Sequence, residues 1–359
     1  MSETQGTGAL SLGRILLLSA IVAIGGCAPD ADEAELGERD FALDAAAVSL
    51  PQEFQRIRRI DLHESDSVLN VLFLGAVLGP NGELAIADRF EAKVRIYDSR
   101  GRLIRQFGRR GDGPMEFQMP MDVRFWGRDS VLVVDALAGL SIWDTAEGRL
   151  IDELNVELPW FFGVRRLADE SVAIAGMEMG RPRAPLLHRF SNESNEITDS
   201  AAPLSLPRDA MPFASSVSTV VMDVAFGRIG VMYGLSDTLY LLDEDDWSVQ
   251  DKVRLEIPGF DYDALLTAEG PTAKAAAARV VRFLRLLDDG RMVVQYVVPI
   301  EARERYGLAL LAADGSLLRH WENTPQLVAA QPPEFYFVAP DVAVPNVLEV
   351  VRLPELPGW

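Results

Sequence analysis

One thiol is available to this chain. Cys27 is the single cysteine in 359 residues, and it ends the run Ile15-Leu16-Leu17-Leu18-Ser19-Ala20-Ile21-Val22-Ala23-Ile24-Gly25-Gly26. Arg14 places a positive charge just ahead of the apolar stretch, and the two glycines leave room for a peptidase at the Gly26–Cys27 bond. A charged n-region, an h-region of about 7–15 residues and a small-residue cleavage site make a secretory signal. The apolar run is too short for a membrane span, which needs roughly 17–25 residues. The residue exposed by the cut is a thiol, a nucleophilic sulfur. With no second cysteine, an intramolecular disulfide and a further Cys–His nucleophile are both excluded.

Carboxylates come next. Asp88, Asp98, Asp135, Asp144 and Asp243 each close a strand-like run, a pattern that invites a metal or acid–base reading. Because they recur with a repeat, they read first as turn residues whose oxygens accept nearby backbone N–H groups. No stretch has EF-hand spacing, and a cation cage assembled from several repeats leaves no linear signature. The expected cofactor is therefore none, with a divalent cation such as calcium in a central channel as the alternative. His63, His188 and His320 are the three histidines. None has a ligand partner at short spacing, and all read as surface or sheet-packing residues. No Gly-x-Ser-x-Gly elbow and no phosphate-binding loop or dinucleotide fingerprint is present. Arg110-Gly111-Asp112 spells an adhesion tripeptide but lies in a glycine-rich connection, where its residues shape a turn. Trp160, Phe161, Arg181 and Arg183 fall in connections of the third repeat and are candidates for a ligand rim, since aromatics and arginines on loops make binding groups.

The elements that position these residues are strands. From Phe54 onward, apolar runs of Val, Ile, Leu and aromatics alternate with Gly, Pro, Asp and Asn turns, which points to an all-β fold. A repeat is visible in them. Glu83-Leu84-Ala85-Ile86-Ala87-Asp88 returns 47 residues later as Ser130-Val131-Leu132-Val133-Val134-Asp135. Val94-Arg95-Ile96-Tyr97-Asp98 returns after 46 as Leu140-Ser141-Ile142-Trp143-Asp144. Leu103-Ile104-Arg105-Gln106-Phe107 returns after 47 as Leu150-Ile151-Asp152-Glu153-Leu154. Weaker copies follow, and a period of ~40–50 residues is that of propeller blades. The spacing predicts six blades. The last set shows Phe335 to Val338 and Val347 to Leu353 but lacks a fourth strand, which residues 54–62 supply, closing the ring. Residues 261–278, with Pro271 and Ala275-Ala276-Ala277-Ala278, predict a short helical insertion.

Two family resemblances sharpen this. The segment ending at Cys27 resembles the bacterial lipoprotein lipobox, which implies a lipid on that sulfur. Phe107-Gly108-Arg109-Arg110-Gly111-Asp112-Gly113-Pro114-Met115-Glu116-Phe117-Gln118-Met119-Pro120-Met121-Asp122-Val123 resembles the connection of the NHL repeat. The chain as a whole is similar to exported six-bladed β-propeller lipoproteins of bacteria, a resemblance that implies a fold and a binding role rather than one reaction.

The expected organisation is a lipoprotein signal peptide (1–26), an acidic tether (27–50) and a six-bladed propeller (51–359). Lys and Arg total 34 against 54 Asp and Glu, a net charge of −20. Such charge disfavours nucleic acid as a partner. The expected location is the cell envelope, lipid-anchored and extracytoplasmic. The expected function is a non-enzymatic binding or scaffold module for a protein, peptide or glycan. A metal-dependent, lactonase-like hydrolase is the alternative.

Overall fold

The computed structural model describes residues 48–62, 75–113, 115–154, 156, 158, 161–177, 183–204, 219–261, 267, 279–300, 303–340 and 347–354. In them, 24 strands form six four-stranded antiparallel sheets. The first strand, β1 (Gln55–Asp61), belongs to the last sheet. Blade 1 is β2 (Gly75–Leu78), β3 (Leu84–Asp88), β4 (Lys93–Tyr97) and β5 (Leu103–Phe107). Blade 2 is β6 (Pro120–Phe125), β7 (Ser130–Asp135), β8 (Gly139–Asp144) and β9 (Leu150–Leu154). Blade 3 is β10 (Phe161–Arg166), β11 (Val172–Gly176), β12 (Pro185–Ser191) and β13 (Glu196–Pro203). Blade 4 is β14 (Val220–Ala225), β15 (Arg228–Tyr233), β16 (Thr238–Asp243) and β17 (Val249–Arg254). Blade 5 is β18 (Val280–Leu286), β19 (Met292–Ile300), β20 (Arg303–Leu311) and β21 (Leu317–Thr324). Blade 6 is β22 (Leu327–Gln331), β23 (Glu334–Val338), β24 (Val347–Arg352) and, outermost, β1.

The first strands of the blades stand side by side in the order β2, β6, β10, β14, β18, β22 and back to β2. That circle is the wall of a central channel, and the fold is a six-bladed β-propeller. Six apolar clusters hold it, each lying between two consecutive blades. Second strands are therefore covered on both faces and read as unbroken apolar runs, as in β3 and β11, where every residue is buried. Fourth strands have one open face and edge, and the middle residues of β5 and β9 are exposed.

The ring closes as the sequence predicts. β1 pairs with β24 from Gln55 opposite Arg352 to Asp61 opposite Val347. The inner strand β22 was not apparent in the sequence. Leu50 and Phe54 are buried between blades 5 and 6, with Phe54 5.1 Å from Trp321 in an edge-to-face contact and 5.9 Å from Phe337. Glu53 accepts hydrogen bonds from the Trp321 indole N–H and from Arg319.

The repeat is stricter in backbone than in residue type. Every fourth strand carries a bulge, and the extra residue is Ile57, Ile104, Ile151, Thr198, Gln250 or Leu318. The first four follow one another at steps of 47 residues. Three residues before the bulge of blades 1 to 5 stands a residue with positive φ: Gly101 (83°), Gly148 (68°), Asn195 (55°), Trp247 (60°) and Gly315 (85°). Bulges of this kind twist an open edge away from pairing with another chain. The predicted helical insertion falls on residues that lie outside the described ones, apart from Asp261 and Thr267.

Candidate functional site

The aspartates that recur at strand ends are turn caps. Asp88 Oδ1 accepts the N–H groups of Phe90 (2.9 Å) and Glu91 (3.0 Å), while its Oδ2 accepts from buried Arg95 at 2.6 Å. Asp135 gathers the N–H groups of Gln118, Met119, Leu137 and Ala138. Asp98, Asp144 and Asp243 close their turns in the same way. The backbone N–H of Arg102, and after it the Arg102 guanidinium, hold the Asp98 carboxyl below its ordinary range. Among the described residues, no three of His, Cys, Asp and Glu come together as a metal-binding group.

The glycine-rich connection is likewise built around its own contacts. Glu116 accepts from the Gly113 N–H (2.9 Å) and the Arg109 guanidinium (2.7 Å), and these bonds lower its pKa. Arg110 donates to the carbonyls of Gln118, Arg89 and Phe90. The Arg110-Gly111-Asp112 tripeptide is thus committed to holding the turn. Phe117 packs 5.0 Å from Trp143, directly over Gly108, where any Cβ would meet its ring at 2.3 Å.

His188 is buried, with Nδ1 2.9 Å from Ser200 Oγ. His320 Nε2 lies 2.7 Å from the Tyr296 hydroxyl, and the two rings stack at 6.1 Å. Burial lowers the His320 pKa and raises that of Tyr296 to about 12. Both histidines pack within sheets. His63 lies outside the described residues, as do Cys27, Trp160 and Arg181. Phe161 opens β10 and pairs with Gly176, and Arg183 is exposed just before β12 with a φ of 72°. In an antiparallel blade, the loops joining second to third strands share an end of the ring with the connections between blades. Phe161 and Arg183, the two described members of the candidate rim, therefore fall at one end of blade 3.

The channel wall carries chemistry of a different kind. The six innermost strands hold Arg124, Arg165, Arg166, Arg282 and Arg285 against Asp122 and Asp223, with no Lys, Glu or His. Five positive charges less two negative ones leave +3 on these strands, in a chain whose total is −20. Arg124, Arg165, Asp223 and Arg285 pair with Leu132, Ala173, Gly230 and Val293 of the second strands, which places them at one level on blades 2 to 5. They form a chain of contacts. Arg124 reaches Asp122 at 3.1 Å, Arg165 lies 3.7 Å from Asp122 and 3.9 Å from Asp223, and Arg285 reaches Asp223 at 3.0 Å.

An innermost strand has no further strand to bond with on its channel side, and buried backbone groups must find partners. The charged side chains supply them. Arg165 donates to the carbonyls of Val164 (2.8 Å) and Met222 (3.0 Å), and Arg124 donates to those of Val164 and Ala76. Asp223 accepts the Leu286 N–H at 2.9 Å. Each of the three nitrogens of Arg124 has a partner in these carbonyls and Asp122. In Arg285, by contrast, the Nε is buried with no partner. Arg282 sits at the bulge of β18, half-buried, with no hydrogen bond or ion pair among the described residues. Burial, followed by the nearness of Arg124, pushes the Arg165 pKa down to about 10, against the opposing pull of Asp122 and Asp223.

The sequence showed these arginines only as parts of strands. The signal that marks them is a charged residue inside an apolar first strand, together with the repeated Met121-Asp122-Val123 and Met222-Asp223-Val224.

No protein-family model matches the chain, and no curated protein matches it either. Solved structures do. A protein from Bacteroides fragilis NCTC 9343 inferred to be exported is 11% identical, with a TM-score of 0.57 over 83% of this chain and 95% of that one. A member of the DUF4221 family from Bacteroides vulgatus ATCC 8482 is also 11% identical, with a TM-score of 0.58 over 83% of this chain and 97% of that one. Hydrazine synthase from Kuenenia stuttgartiensis is 11% identical, with a TM-score of 0.50 over 77% of this chain and 76% of that one. These likenesses show the propeller fold.

Proposed function

We propose that the chain is a lipid-anchored, extracytoplasmic propeller that acts as a non-enzymatic binding or scaffold module for a protein, peptide or glycan of the cell envelope. The observation that carries this reading is the split of charge, with a positive channel wall inside an acidic ring. Binding proteins concentrate their distinctive chemistry in a few converging polar groups of a concave site. Residues Cys27, Trp160, Phe161, Arg181 and Arg183 enter as the lipid site and the ligand rim. The inferred export of the B. fragilis protein supports an envelope location. The strand that closes the ring begins at Gln55, close behind the acidic stretch that follows Cys27, so the anchor would hold a rigid body on a short leash.

The alternative is a hydrolase with a channel cation such as calcium. Both channel carboxylates already face arginines and backbone N–H groups, which a cation would have to displace, so the binding module is the better supported of the two. Crosslinking in cells followed by capture of the full chain tests it. Envelope partners should be recovered with the wild type and lost when one face of the ring is substituted. Recovery of none, together with a tightly held stoichiometric divalent ion in elemental analysis, would turn the reading to the hydrolase. Cys27→Ser should move the protein from the membrane to the soluble fraction.

A further inference from the structure

We propose that the central channel binds an oxyanion group of its ligand, a carboxylate or a phosphate, on Arg165, Arg282 and Arg285. This rests on the binding-module reading and names the chemistry that the site selects. The argument is one of unbalanced partners. Arg124 and Asp122 satisfy each other at 3.1 Å, and Arg166 pairs with Glu170 at 2.8 Å. Arg165 shares Asp122 with Arg124, at 3.7 Å, and shares Asp223 with Arg285, while Asp223 already accepts from Leu286 and Arg285. Three linked arginines thus face two carboxylates, and Arg282 faces neither among the described residues.

Arg165 stands 3.7 Å from Asp122 and 3.9 Å from Asp223, both longer than a hydrogen bond, and spends its terminal nitrogens on carbonyls. Carbonyls satisfy its donors but do not cancel its charge. The buried Nε of Arg285 has no acceptor. A guanidinium offers planar, paired N–H groups that match the two oxygens of a carboxylate or phosphate. Enclosed like charges are costly to hold together, and an arriving anion relieves that cost while filling the open donors. The depressed pKa of Arg165, lowered by burial and by its arginine neighbours, reports the same imbalance. A neutral glycan face or an apolar peptide has no use for such a wall.

The test is calorimetric titration of the purified full-length protein, in a buffer free of oxyanions, with succinate and with inorganic phosphate. One saturable site is expected. Arg282→Gln should weaken it roughly tenfold, the loss of one charge-assisted bond, and should leave the unfolding midpoint unchanged because Arg282 has no hydrogen bond or ion pair among the described residues. Arg285→Lys, which keeps the charge and loses the fork, should weaken binding as well. Arg105→Gln, on the exposed face of β5, should bind as the wild type does. Tighter binding of succinate assigns the site to carboxylates, and tighter binding of phosphate assigns it to phosphates. If neither probe saturates, or if Arg282→Gln binds as tightly as the wild type, the inference is overturned. Crosslinked partners that persist in that case leave the binding module standing. Their loss from the wild type removes it too.

Discussion

Arg285 of blade 5 donates to Asp223 of blade 4 at 3.0 Å, while the other oxygen of the same carboxylate takes the Leu286 N–H at 2.9 Å. One aspartate thus joins two blades through both a side chain and the backbone. Removing one partner of a buried charge pair leaves the other uncompensated, at a cost of ~3–5 kcal/mol. Asp223→Ala should therefore destabilise strongly in denaturant unfolding. The double variant Asp223→Ala/Arg285→Met should lose less than the sum of the single changes. Additive losses would show that the two residues act separately.

Gly101 tests how the blades meet. A Cβ there would stand 2.1 Å from the Asp61 carbonyl oxygen, at a φ of 81° to 85° shared with the turn glycines Gly82 and Gly315. Gly227 has a similar φ of 71° and nothing within 4 Å. Gly227→Ala should show backbone strain alone, about 1 kcal/mol. Gly101→Ala adds a collision with the closing strand and should cost ~2 kcal/mol more. Equal losses at the two positions would remove the packing argument.

The same position explains why the repeat was legible in two blades and blurred beyond them. Gly101 and Gly148 announce the turn, and Ile104 and Ile151 the bulge. In blade 3 the backbone keeps the 47-residue step but fills it with Asn195 and Thr198, which tolerate the geometry and carry no apolar signal. Blade 4 puts Trp247 at positive φ and buries its ring between blades 3 and 4, where another blade has a glycine and a close backbone. Strand content and closure by β1 follow from local pattern and were readable. The charged level of the channel joins residues from four blades, from Arg124 to Arg285, and no local pattern contains it.

His320 gives the fold a pH dependence whose sign is fixed by burial. Its pKa is lowered in the folded state from 6.5, so the unfolded chain binds the proton more readily. Stability is then complete above about 6.5 and falls as the pH drops through that value toward the folded pKa. Protonation places an imidazolium in this half-buried site, 2.7 Å from the Tyr296 hydroxyl, which stays protonated with a pKa of about 12. Urea midpoints measured between about pH 5 and 8 should decline on the acid side, and His320→Gln should flatten that decline. An unchanged slope in the variant would place the effect on other groups.

Phe54 carries the closure of the ring. It packs against Trp321 of blade 5 and Phe337 of blade 6, while Glu53 beside it takes the Trp321 N–H, and β1 begins at the next residue. The proposed tether leaves the body at this point, so force on the anchor reaches the fold first through Leu50 and Phe54. Phe54→Ala removes a large buried side chain between two blades, at a cost of ~3–5 kcal/mol. It should also weaken the hold of β1 on β24, and hydrogen exchange of the β1 amides from Arg56 to Asp61 should accelerate more than that of β3 or β7. Glu53→Gln keeps an acceptor for the indole and should shift stability far less. If exchange in Phe54→Ala rises evenly across all six blades, the residue supports the ring as a whole and is no clasp.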